Sequence, residues 1–501
     1  MSKKQADEIA PVVRLTSIEL NHFKNVAHGR IDLSSWKPGE RIASDIIGIY
    51  GQNGSGKTSV VLAFMILQKL FMGSPLPGFV GECLEAGRDS LSIIVSGLWG
   101  NRFGKPHACS IEEKGLFSYT VEIARRRGGL VVKRERLALK VLQPSESSFR
   151  TLFDYFLDEE DDGGFALKPK TQWEGLFGPE PSLGVDLALA QRMSVKEGSS
   201  FLFSNAMFSL LCVKLDAIYD SYSKGERAFS RKAAKAFGEL YPNLRLLVLS
   251  LTSFSYKDMA VVTTTRQAGL SLNVLRISTH EGETGCFADN SFQIDISKPY
   301  LATKDQLDVL EPTVSTVSTV LAALVPGLSF CVERLGSSLT DEGELAERVE
   351  LVVSRGNTVV PLRSESEGVK KLVAILVMLI DVYSKPGAFV AIDELDSGLF
   401  EFLLGEILQV LQEHGRGQLV FTAHNLRPLE TLDKGSLVFT TTNPNNRYTT
   451  FKGSGATNNL RSQYLRAINL GGQPETIYEP TSKFEIDSAF YDAGCAVDEL
   501  R

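Results

Sequence analysis

The chain has 501 residues, 43% of them hydrophobic, enough to bury a large core and to form two or three domains. Its formal charge of −7 gives no overall attraction to nucleic acid, so any contact with DNA has to be local. No apolar run approaches a membrane span and the start, Met1-Ser2-Lys3-Lys4-Gln5, lacks an apolar signal segment, so a cytoplasmic chain that meets no membrane is expected.

The first predicted element is a buried strand over Ile46 to Tyr50, followed at once by Gly51-Gln52-Asn53-Gly54-Ser55-Gly56-Lys57-Thr58 and then by a helical pattern from Val60. Strand, glycine turn and helix are what a phosphate-binding loop requires. Backbone N–H groups wrap the phosphates, the helix N-terminus adds positive potential, Lys57 reaches the β- and γ-phosphates, and Thr58 holds Mg²⁺. The chain is therefore expected to bind a nucleoside triphosphate.

Alternating segments at Leu91 to Ser96, Tyr119 to Ala124 and Leu130 to Val141 predict strands that complete a first lobe, residues 1–142. Two basic clusters, Arg125-Arg126-Arg127 and Lys133-Arg134-Glu135-Arg136, flank a hairpin turn expected at Gly128-Gly129. They are read as a solvated hairpin, with local DNA contact as the alternative. The acidic run Asp158 to Asp162 is expected in an exposed loop. Residues 143–300 are read as an insertion, helical through Val185 to Tyr241 and β-rich from Leu246 to Ile296. No heptad array is sustained, so the insertion is a compact arm and not a long coiled coil. The six cysteines, Cys83, Cys109, Cys212, Cys286, Cys331 and Cys495, lack Cys-x-x-Cys spacing and are expected to be buried small hydrophobes, not disulfides or zinc ligands.

A second lobe, residues 301–501, opens with a helix over Asp305 to Leu324 that Pro326-Gly327 ends, then strands near Leu328 to Leu335 and Val349 to Val360. Ser366-Glu367-Gly368 next opens an apolar helix, Leu372 to Val382. Such a turn offers a hydroxyl, free amides and a helix N-terminus to a phosphate, or serves as an ordinary N-cap. Because the chain already has its own phosphate loop, a second such site suggests one subunit closing over another's ATP. Ala388 to Ile392 predicts a parallel strand ending in Asp393-Glu394, two carboxylates that face the loop: Asp393 for Mg²⁺ and Glu394 for the attacking water. The strand Gln418 to Phe421 ends in Thr422-Ala423-His424-Asn425, where His424 can reach a γ-phosphate.

Phosphate loop, Ser-x-Gly turn, Asp-Glu strand, Leu395-Asp396-Ser397-Gly398 and His424 fall in the order of the ABC-type ATPases, and Leu15 to Val26, with its Phe23-Lys24-Asn25 turn, resembles the SMC/RecF-like branch. The resemblance implies an α/β fold: a two-lobed P-loop ATPase with a mixed sheet, an antiparallel β subdomain and an α-helical/β insertion arm. It implies Gly51, Asn53, Gly54, Ser55, Gly56, Lys57 and Thr58 at the phosphates, Thr58 and Asp393 at Mg²⁺, Glu394 and His424 in catalysis and switching, Ser366 and Gly368 at a partner's γ-phosphate, Asp396 at a dimer interface and Lys24 at the base or ribose. ATP and Mg²⁺ are the implied ligands. The chain departs from the family in Ser-Glu-Gly for Ser-Gly-Gly and in Phe400 where many relatives have histidine. No glutamine among Gln143, Gln172 and Gln191 can be assigned to the loop that senses Mg²⁺.

From Lys57 to Ser366 is 309 positions, far more than in transporter ATPases. Asn459 to Gln473, with Ile486 to Gly494, resembles the tail of the AAA-15-type ATPases of bacterial anti-phage systems. Only 77 residues follow His424, too few for the nuclease domain that OLD-family proteins carry, so an effector is expected on a separate chain. The resemblance implies a self-associating sensor or scaffold of a two-component system of the PARIS type, holding a Toprim-type nuclease until a phage-encoded protein triggers release. The alternatives are a Septu-like ATPase with an HNH nuclease partner, a RecF/SMC-like DNA-repair ATPase, and a nucleotide-gated scaffold with negligible hydrolysis.

Overall fold

The structure, a computed structural model, describes residues 9–34, 36, 43–103, 110–126, 129–142, 148–157, 164–226, 228–263, 274–277, 292–340, 343–451, 460–471 and 473–499. In chain order, β1 (Ile9–Phe23) and β2 (Val26–Asp32) form a hairpin, and β3 (Asp45–Tyr50) leads into α1 (Lys57–Phe71). Strands β4 (Ser90–Phe103), β5 (Ser110–Arg126), β6 (Gly129–Val141), β7 (Arg150–Leu157) and β8 (Phe165–Lys168) follow. A helical region that includes α2 (Ser182–Glu197) and α3 (Tyr241–Ser253) leads to β9 (Met259–Val262), β10 (Val274–Ile277) and β11 (Phe292–Asp295). Next come β12 (Tyr300–Thr303), α4 (Lys304–Leu324), β13 (Leu328–Leu339), β14 (Leu345–Arg355), β15 (Thr358–Pro361), α5 (Glu367–Ser384) and β16 (Phe389–Ile392). The chain closes with α6 (Glu401–His414), β17 (Gln418–Thr422), β18 (Leu437–Thr440), β19 (Tyr448–Thr449), α7 (Leu460–Leu470) and α8 (Lys483–Glu499).

Two sheets organise the molecule. One is mixed, in the order β19-β18-β3-β17-β16-β9, with β18, β3, β17, β16 and β9 parallel and β19 antiparallel at the edge. Every residue of β9, β16, β17 and β18 is buried, which suits unbroken apolar runs covered on both faces. The other is antiparallel, in the order β2-β1-β4-β5-β6-β7-β8. Helix α1 is apolar nearly all round because it lies between the sheets: Phe64 packs on Phe389 of β16, ring centroids 4.7 Å apart, and Phe71 on Tyr119 of β5 at 5.1 Å. Buried Arg14 of β1 pins the sheets together, donating to the carbonyls of Pro386 at 2.6 Å and Ala43 at 2.8 Å and to the Asp45 carboxylate at 2.5 Å.

The fold class is the expected one, an α/β architecture with a mixed sheet and an antiparallel β subdomain. Within the span expected to form an insertion arm, residues 143–300, several described strands join the two sheets. Of these, β7 and β8 extend the antiparallel sheet, and β9 forms the edge of the mixed sheet beside β16. The stretch expected to be β-rich from Leu246 begins instead within α3, where buried Leu244, Leu247, Val248 and Leu251 recur at helical spacing. Its aliphatic content imitates a strand; its period does not.

Two smaller expectations also change. Among the described cysteines only Cys83 is buried, while Cys212 is half-buried and Cys331 and Cys495 are exposed. Helix α4 is long and apolar enough in composition to cross a membrane. Asp308, Glu311 and several Ser and Thr residues break its apolar sequence into short runs. Its Leu307, Leu310, Val314, Val317 and Leu321 are buried as one stripe, and Ser318 accepts the Phe330 N–H of β13 at 2.9 Å. The β5–β6 hairpin is present with Arg126 opposite Gly129. Gly128, the acidic run Asp158 to Asp162, Cys109, Cys286 and Gln143 lie outside the described residues.

Candidate nucleotide site

Three adjacent strands deliver the site: the loop follows β3, Asp393-Glu394 follows β16, and His424 follows β17, all at carboxyl ends of a parallel sheet. The loop turns through Gly54 at φ 74° and Gly56 at φ 96°, left-handed values that favour glycine, and Gly56 caps α1. Lys57 Nζ folds back to donate to the carbonyls of Gly51 at 2.7 Å and Gln52 at 3.0 Å. Burial pulls the Lys57 ammonium below its ordinary pKa, and Asp393, Glu394 and Asp396 oppose that shift.

Side chains without a recognisable motif hold the loop from behind. Thr440 Oγ1 donates to Ser55 Oγ at 2.6 Å, Tyr448 OH to the Gly56 carbonyl at 2.9 Å, and Asn25 Nδ2 to the Gly54 carbonyl. Arg447 in turn donates to the carbonyls of Asn25 and Thr441. A Cβ on Gly51 would meet Thr440 Oγ1 at 1.6 Å, so the loop and β18 admit no side chain there. Thr440, Arg447 and Tyr448 were missed because nearly 400 residues separate them from the loop; no spacing rule reaches that far.

Asp393 is buried, and its Oδ1 accepts Thr422 Oγ1 at 2.6 Å and Thr58 Oγ1 at 3.3 Å. Glu394 has φ 50°, a left-handed conformation that is uncommon for a residue with a side chain. Its N–H donates to Thr422 Oγ1 at 2.8 Å, and its carbonyl accepts Lys371 Nζ at 2.6 Å. Thr422 and Lys371 are two further residues that sequence reasoning passed over. Asp396 Oδ2 accepts the N–H groups of His424 at 2.8 Å and Asn425 at 2.6 Å, so within its own chain it shapes the loop that presents His424.

A cavity of about 410 Å³ opens over these groups, lined by Lys24, Asn25, Asn53 to Ser59, Asp393, Glu394, Thr422 and His424. Ser366 and Gly368 are not among its lining residues. They lie at the start of α5, where exposed Ser366 accepts the Val369 N–H at 3.4 Å as an N-cap, and a Cβ on Gly368 would meet the Gly398 carbonyl at 2.4 Å. Neither other glutamine candidate lines it: Gln191 is buried and donates to Tyr155 OH at 3.2 Å.

The donor set suits Mg²⁺ bound with a nucleotide. Thr58 and Asp393 present a hydroxyl and a carboxylate oxygen to each other across 3.3 Å beside an ammonium and a glycine cradle. Among the described residues no group of three or more His, Cys, Asp and Glu side chains could hold a metal by itself. Mg²⁺ at such a site needs only one or two protein oxygens, because phosphates and water complete its shell.

Residues 288–430 match the family model described as "AAA domain, putative AbiEii toxin, Type IV TA system", which implies an ATP ligand. The match takes in Ser366, Asp393, Glu394 and His424 and stops short of the phosphate loop. A search of curated proteins returned no match. Among solved structures, an SMC head bound to the C-winged helix domain of ScpA is 13% identical, with a TM-score of 0.36, covering 87% of this chain and 98% of that one. The SMC head domain from Thermotoga maritima is 14% identical at a TM-score of 0.32, covering 88% and 100%. The recombination mediator RecF with ATPrS is 12% identical at 0.32, covering 85% and 96%.

Proposed function

We propose that this chain is an Mg²⁺-dependent ATPase whose copies close on one another over ATP. The observation that carries the proposal is the convergence of Lys57, Thr58, Asp393, Glu394 and His424 on one cavity from three neighbouring strands. Lys57 exchanges its two loop carbonyls for phosphate oxygens, a stronger, charge-assisted pairing. Thr58 and Asp393 are the residues that would hold Mg²⁺, which supplies charge neutralisation at the phosphates when bound. Glu394 orients the attacking water and takes its proton, and His424 contacts the γ-phosphate. Ser366 and Gly368, outside their own chain's cavity, complete the site of a second copy, and Lys24, on the cavity lining, is assigned to the base or ribose.

We further infer that the ATPase serves a bacterial anti-phage system from the cytoplasm, holding a separate nuclease of the Toprim type and releasing it when a phage protein is sensed. The AbiEii-type family match over residues 288–430 and the tail pattern over Asn459 to Gln473 support this role. The test is affinity purification of the Glu394→Gln protein with ATP from its native host. A stoichiometric nuclease partner is expected. An HNH nuclease would point to the Septu-like alternative, and recovery of only DNA-repair proteins would contradict the defence role.

A further inference from the structure

Lys371 lies five residues into the chain from Ser366, on the first turns of α5, and is 5% exposed. Its ammonium donates to two main-chain carbonyls, Glu394 at 2.6 Å and Ser397 at 2.8 Å. Burying a charge costs free energy unless strong partners repay it, and two neutral carbonyls repay less than a carboxylate. Burial brings the Lys371 pKa down to about 8, against the pull of Asp396, Glu394 and Asp393. Such a placement is better explained by what the carbonyls do than by stability.

The first of those carbonyls belongs to Glu394, which at φ 50° has a left-handed backbone, as Lys24 on the rim of the same cavity has at φ 53°. A side chain in that region persists only where its surroundings over-determine it. Four contacts do so: the Glu394 N–H to Thr422 Oγ1 at 2.8 Å, the Leu395 N–H to the Thr422 carbonyl at 3.0 Å, the Ser397 N–H to the Glu394 carbonyl at 3.1 Å, and Lys371 on that same carbonyl. Two of the four come from β17 and one, the Ser397 N–H, from within the turn. The fourth comes from α5, the helix that Ser366 and Gly368 begin, and the direct contact of Gly368 with the Gly398 carbonyl ties the same turn to the same loop.

We propose that Lys371 is a positioning residue that transmits the state of the Ser366-Glu367-Gly368 turn to Glu394 of its own chain. The inference rests on the catalytic reading of Glu394 and deepens it. A turn that grips a neighbour's phosphate shifts the start of α5, Lys371 moves with it, and the carboxylate is set for its own ATP. Closure and catalytic competence then coincide in both subunits.

The test compares wild type, Lys371→Met, Glu394→Gln and the double variant for Mg-ATP affinity with a fluorescent ATP analogue and for steady-state turnover. Lys371→Met is expected to keep affinity within a few-fold and to lower kcat on the order of tenfold to a hundredfold, the effect of displacing one catalytic group. In the Glu394→Gln background it is expected to add no further loss, since groups that act as a unit are not additive. Lys371→Arg, which keeps charge and donors, is expected to recover most of kcat. The proposal is overturned if Lys371→Met leaves kcat unchanged, or costs the same factor with and without Glu394. If Lys371→Met does not fold, Lys371→Gln, which retains an amide donor, takes its place under the same criteria. Unchanged turnover in Glu394→Gln alone overturns the catalytic reading together with the coupling, whereas additivity overturns only the coupling.

Discussion

The phosphate-loop rim and the Ser366-Glu367-Gly368 turn are both glycine-containing starts of apolar helices, yet they are built differently. Around the loop, Tyr448, Asn25 and Lys57 commit a hydroxyl, an amide and an ammonium to the backbone of Gly51 to Gly56, and Thr440 commits its hydroxyl to that of Ser55. That half is braced within one chain and faces a cavity. At Ser366, by contrast, the hydroxyl caps its own helix, the side chain is exposed, and the cavity of the same chain is not lined by it. The first half is ready for a ligand, while the second is complete only when something is brought to it. The proposed division of the site between two copies would make assembly conditional on ATP.

The comparison can be broken at several points. Lys57→Ala should cost the most: removing charge-assisted bonds worth roughly 3 kcal/mol or more is on the order of a hundredfold in Kd, measured by titration with Mg-ATP. Retained affinity would show that the loop does not grip phosphate. Glu394→Gln should lower turnover by about a hundredfold to ten-thousandfold and leave affinity intact, because the carboxylate acts on water and not on the nucleotide. Ser366→Arg places a bulky side chain where the turn meets a second copy; turnover should fall about tenfold or more while the isolated subunit binds ATP normally. Equal loss of binding would put the turn in its own chain's site. Tyr448→Phe is the mildest, removing one buried hydroxyl from the Gly56 carbonyl, about 1 kcal/mol in thermal stability and a few-fold in ATP affinity.

The sequence carried the braced half's own residues and little of its bracing. Gly51 to Thr58 and Asp393-Glu394 were legible because phosphate chemistry demands those types at fixed spacing beside buried strands. Thr440, Arg447 and Tyr448 were not, because a hydroxyl or guanidinium that supports a loop from another strand needs only to arrive in space. Lys371 was passed over for a related reason: in a run of Lys370-Lys371 before an apolar helix, one lysine is expected to be solvated, and only the helix phase turns the second inward. Likewise Met259-Ala260-Val261-Val262 is too short to distinguish from the end of a helical arm, and only its pairing with β16 identifies it as a core strand. Asp396 was assigned outward to an interface by resemblance. Within the chain it accepts two N–H groups of the His424 loop, so a neighbour that engaged it would also act on His424.

The most direct measurement is sedimentation velocity of the Glu394→Gln protein with and without Mg-ATP, alongside the same protein carrying Ser366→Arg. A divided site predicts a shift to at least twice the monomer mass that requires ATP and that Ser366→Arg abolishes. An unchanged mass with ATP demonstrably bound would contradict it.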